Sequence, residues 1–68
     1  MEPPWAKYPD MERQSVGWRM GDCEDYYNTV YRMFSALPPA AREDYERRHP
    51  EPPGWSGWYD LVKANPWT

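Results

Sequence analysis

A chain of 68 residues makes at most one domain, and at this size folding removes only about 60% of the surface that the unfolded chain exposes. A net charge of −3 with both signs interspersed offers neither the basic patch of an unassisted nucleic-acid binder nor the dense carboxylate run of an acidic DNA mimic. Cys23 is the single cysteine, so no intramolecular disulfide can form, and no run approaches the ~18 apolar residues of a membrane span.

Residues 1–21 read as an irregular arm, because Pro3, Pro4 and Pro9 forbid a continuous helix. Within it, one helical turn from Asp10 to Gln14 fits the pattern, and Trp18-Arg19-Met20, between Gly17 and Gly21, reads as extended. The first strong element is a helix over about 23–36. Asp22 is its N-cap candidate, Glu24 and Asp25 suit the positive end of its dipole, and Tyr26, Tyr27, Val30, Met33, Phe34 and Leu37 recur at helical spacing. Pro38 ends it, since the residue before a proline is pushed out of the helical region.

Pro39 can open a second helix over 39–48, where its missing N–H costs nothing. Acidic residues come early in that segment and Arg47, Arg48 and His49 late, the order a helix dipole favours; Ala41 and Tyr45 form its thin inward stripe. After the rigid turn Glu51-Pro52-Pro53-Gly54, Ser56 is a good N-cap for a third helix over 57–64, whose inward face reads as Trp58, Leu61 and Val62. The expected fold class is therefore mainly α: a small three-helix domain with an irregular Pro/Trp-rich N-terminal arm.

The core of such a domain must be aromatic. Leu37, Leu61, Val16, Val30, Val62 and Phe34 would by themselves leave the chain near the disordered class, whereas five Trp and six Tyr can each bury roughly 150–250 Å². Their N–H and O–H groups need partners when buried, and Trp5 or Trp18 from the arm is expected to close the core. Two stretches echo each other: Glu2-Pro3-Pro4-Trp5 and Glu51-Pro52-Pro53-Gly54-Trp55. Packing of these prolines on Trp inside the domain outweighs an exposed polyproline ligand. Pro52-Pro53-Gly54-Trp55 resembles the opening of a WW domain over those residues alone. The later Trp and Pro and the strands of that family have no counterpart at the required spacing, and no family is assigned.

Catalysis finds little support in the sequence. Cys23 and His49 invite a nucleophile reading, but Asp22, Glu24 and Asp25 surround the thiol with negative charge, which disfavours a thiolate. One Cys and one His do not make a structural zinc set, and no phosphate loop or hydrolase elbow is present, so neither metal nor cofactor is expected. The feature that points to a function is the aromatic surplus at the C-terminal end. With Trp58, Leu61 and Val62 facing inward, Trp55, Tyr59 and Trp67 are left for a contact surface, which Tyr27, Tyr31 and Arg32 of the first helix extend.

These readings lead to a non-enzymatic protein-binding module. It is either an accessory or assembly subunit of a larger complex or a small inhibitor of a host protein of the kind phages encode. Single-stranded nucleic-acid binding, with Trp and Tyr stacking on bases beside Arg13, Arg19, Arg32 and Arg42, is the first alternative. A Cys23-dependent enzyme is the second. The expected residence is the cytoplasm or another reducing intracellular compartment, without membrane insertion.

Overall fold

The computed structural model describes residues 1–67 and is mainly α. The described chain holds helices α1 (Pro4–Lys7), α2 (Gly21–Ala36), α3 (Pro39–Arg48) and α4 (Trp58–Ala64), and no strand occurs among these residues. Two 3₁₀ turns, Val16–Arg19 and Pro53–Trp55, complete the regular structure. None of the helices is long and apolar enough to cross a membrane.

Prolines set the breaks. Pro38 is extended at φ −64° and ψ 159°, which stops α2 and lets Pro39 start α3. The arm is more ordered than its proline content suggests. Pro4 opens α1 as Pro39 opens α3, so a proline there starts a turn of helix rather than forbidding one. Residues 10–14 form turns rather than the expected helical turn, and Trp18-Arg19 is wound into the 3₁₀ turn rather than extended. Ser15 holds that turn, its hydroxyl accepting from Gly17 N at 3.1 Å, a local bond that outcompetes an extended backbone.

Two expected caps are not used. Met20 takes the N-cap position of α2 without a side-chain bond, and Asp22 lies inside the first turn, where its charge still complements the dipole. At α4 the cap position is Gly57, left-handed at φ 85°, and Ser56 instead donates its hydroxyl to Pro53 O at 3.3 Å. Glu51, six residues before Gly57, supplies the cap: its carboxylate accepts from Gly57 N at 3.0 Å and Tyr59 N at 2.6 Å.

Helix α2 is the spine against which α1, the first 3₁₀ turn and α4 pack. The buried core is Trp18, Val30, Phe34, Tyr45, Trp55, Trp58, Tyr59 and Val62, with Trp5 and several half-buried tyrosines packed around it. Edge-to-face pairs dominate, as between Trp5 and Trp58 at 5.6 Å and Trp18 and Trp55 at 5.7 Å. The polar tips of these rings serve as staples. Tyr26 and Tyr45 donate to the main-chain oxygens of Glu2 and Met1, Tyr31 to Asn65 O and Tyr59 to His49 O, at 2.6 to 2.9 Å. Trp18 Nε1 donates to Glu12 O and Trp58 Nε1 to the Tyr27 hydroxyl. Among the described residues no buried side-chain polar atom lacks a partner. A core of Trp and Tyr is therefore tenable without a disulfide, because each polar tip that is buried ties two distant segments together.

Candidate functional site

The residues expected to form a contact surface divide into two groups. Trp55 and Tyr59 are buried, each only 4% exposed, which corrects their assignment to the surface. Trp55 is enclosed by Trp5, Trp18 and Trp58. The Tyr59 ring packs on Phe34 at 5.1 Å and reaches the end of α3 with its hydroxyl. The inward face of α4 is thus Trp58, Tyr59 and Val62, and Leu61, expected inside, is 43% exposed. Two long-range facts produce this rotation. Glu51 orients the first turn of α4, and His49 O offers an acceptor that lets the Tyr59 tip be buried there. The arm contributes two indoles, Trp5 and Trp18, that shelter Trp55, so the rings to be covered are not confined to three helices.

Tyr27, Tyr31, Arg32 and Trp67 lie in line along α2, the two tyrosines half-buried against the core and Arg32 and Trp67 exposed. Trp67, 41% exposed, hangs its main-chain N–H on Ser35 Oγ at 3.0 Å. Its ring lies 6.0 Å from that of Tyr31 and 4.8 Å beneath the Arg32 guanidinium. The Tyr27 and Tyr31 rings are 6.1 Å apart, each also edge-on to Trp58. The Tyr31 hydroxyl also donates to Asn65 O at 2.6 Å, which fixes the end of α4 beside this line. Burial raises the Tyr31 phenol above its usual value, with Tyr27 adding to the shift. The resulting surface combines an indole and two phenols with one cation.

A second feature lies on the arm side. A cleft of about 470 Å³ opens between the arm and the Pro52–Trp55 turn, lined chiefly by Trp5, Pro9, Met11, Arg13, Pro52 and Trp55. Arg13 ties its two walls together by donating from Nη1 to Ser56 O at 3.1 Å. A smaller cavity of about 250 Å³ lies under Met1 beside Met33, Leu37, Tyr45 and His49.

The residues of the nucleophile reading stand in different surroundings. Cys23 is half-buried in the first turn of α2 beside Tyr8, whose phenol is raised by burial and then by Cys23 and Asp22. His49 stacks on Tyr45 at 4.6 Å at the end of α3. No group of His, Cys, Asp and Glu able to hold a metal occurs among the described residues. Compared with models of known protein families, with curated protein sequences and with solved structures, the chain has no significant match.

Proposed function

We propose that this chain is a protein-binding module whose contact face is the line Tyr27, Tyr31, Arg32 and Trp67. The observation that carries the reading is the state of Trp67. A large indole stays 41% exposed although it is held on three sides, by Arg32 above, Tyr31 beside it and Ser35 at its main chain. An anchor already fixed in one place loses little freedom on docking, and Trp, Tyr and Arg are the residues from which binding hot spots are built. The core supports the detachable form of this reading, an inhibitor or transient accessory factor. Among the described residues its buried polar tips find partners within the chain, which favours folding without a partner subunit.

The test is a comparison of captured proteins by immobilised parent chain, Trp67→Ala and Arg32→Ala, each verified as helical by circular dichroism. Loss of the same partner in both variants, with retention by an Asp60→Asn control on the exposed side of α4, supports the reading. An identical set captured by all forms overturns the contact face. Salt-sensitive retention of single-stranded DNA that Trp67→Ala abolishes would replace it with the nucleic-acid alternative.

A further inference from the structure

We propose that the cleft between the arm and the Pro52–Trp55 turn is a receptor for a proline-rich peptide in the polyproline II conformation. This site shares no residue with the Trp67 face and extends the function beyond it.

The volume of about 470 Å³ falls within the range of ~300–1,000 Å³ usual for ligand sites. Its walls are two indoles, two prolines and the Met11 thioether, surfaces that pack on pyrrolidine rings through dispersion and burial. The hydrogen-bonding character of the walls then selects among apolar peptides. The indole N–H groups of Trp18 and Trp58 are occupied within the fold, whereas those of Trp5 and Trp55 make no hydrogen bond among the described residues. Among the described residues no buried side-chain polar atom is left without a partner, so both free N–H groups reach solvent, even though the Trp55 ring is 4% exposed. The cleft is the open space that both rings border.

An indole N–H donates and cannot accept. Arg13, also on the wall, adds only donors, and the exposed Glu12 and Gln14 complete the polar part of the lining. An ordinary extended peptide would bring main-chain N–H groups for which the indole and proline surfaces hold no acceptor, and burying them against those surfaces costs about 1–3 kcal/mol each. Side-chain acceptors of the lining stand only on the exposed Glu12 and Gln14. A proline segment brings carbonyls without N–H groups, and its conformation is set before it binds. Donor-rich, apolar and aromatic walls are complementary to that backbone.

The experiment titrates deca-L-proline into the ¹⁵N-labelled full chain and follows the indole N–H resonances. The Trp5 and Trp55 signals should move and saturate, those of Trp18 and Trp58 should stay, and a length-matched Gly-Ser peptide should move none. Trp5→Phe keeps a ring but removes one donor and should weaken binding about fivefold, the equivalent of one hydrogen bond. Gly54→Gln gives a second, independent variant: Gly54 lines the cleft and a Cβ there meets nothing within 4 Å, so the added side chain obstructs the cleft without disturbing the fold. Trp67→Ala should bind deca-L-proline as the parent does, which separates failure here from failure of the Trp67 face. Unmoved Trp5 and Trp55 signals, or parental affinity in both Trp5→Phe and Gly54→Gln, would overturn the proposal.

Discussion

Trp5 and Trp55 lie with their ring centroids 5.3 Å apart and tilted by 52°, and each follows a Pro-Pro pair that opens a helical turn in the same way. Pro3 (φ −67°, ψ 164°) and Pro52 (φ −71°, ψ 165°) are extended, and the next proline in each case takes the first helical position. The echo in the sequence is therefore a pair of matching turns that set two indoles against each other. Pro3 and Pro4 are fully buried in the process, which locks the arm to the domain.

That contact makes Trp55 a core residue, whose loss is felt as stability. With Trp55 enclosed by three other indoles, Trp55→Ala should cost about 3–5 kcal/mol, a large part of the stability of a domain of this size. Trp67→Ala loses an exposed stacking contact with Arg32 worth about 0.5–1 kcal/mol. Urea unfolding followed by circular dichroism should place the Trp55→Ala midpoint far below that of Trp67→Ala. Similar midpoints would contradict the burial of Trp55.

Glu51 caps α4 from a distance in the chain. Glu51→Ala leaves the N–H groups of Gly57 and Tyr59 without their charged acceptor and should destabilise by about 1–2 kcal/mol. Glu51→Gln keeps one oxygen and should cost less. Thermal melts of the two variants check the order, and amide exchange should show Tyr59 N–H losing protection first.

Gly57 is needed for its backbone. A Cβ there would meet nothing within 4 Å, but φ is 85°, so Gly57→Ala pays the left-handed penalty of roughly 1–2 kcal/mol with no steric clash added. Gly54→Ala, also with open space around it but without a positive φ, should leave the melting temperature nearly unchanged. The difference between the two melts measures conformation alone.

Alkaline pH should unfold the protein through its core phenols. Burial pushes Tyr45 from 10.0 up to about 12 and also raises Tyr59, which has Tyr45 and Glu51 for neighbours. Below pH 10 both phenols are protonated in folded and unfolded chains alike, and their stabilising contribution is fully present. Above it the unfolded chain loses protons first, so stability falls, by about 2–3 kcal/mol for Tyr45 as pH rises to 12. Tyr45→Phe gives up the bond to Met1 O, costing about 1 kcal/mol at neutral pH, yet should flatten the alkaline decline. Urea midpoints from pH 8 to 12 would show whether the slope changes.

Local constraint made part of this protein legible in advance. Pro38 and Pro39 decide where α2 ends and α3 begins whatever surrounds them, because proline restricts its own φ, its predecessor's conformation and the donor count at one point in the chain. The scarcity of Leu and Val, set against five Trp and six Tyr, dictated an aromatic core for the same reason: burial needs area, and only these rings carry it. Tyr27, Tyr31, Arg32 and Trp67 share one surface because three of them are helical neighbours and Trp67 follows a proline that frees the chain to turn back on α2.

The rotation of α4 was decided elsewhere. At that helix Leu61 and Tyr59 are nearly equal candidates for the inside by spacing alone, and the choice falls to partners distant in sequence. Glu51 orients the first turn, His49 O receives the Tyr59 hydroxyl, and Trp5 and Trp18 cover Trp55. A polar tip can be buried only where an acceptor awaits it, and only the folded backbone determines where that acceptor stands. Composition and proline spacing thus determined that the chain would be helical around indoles and phenols, while the tertiary structure decided which of those rings face water.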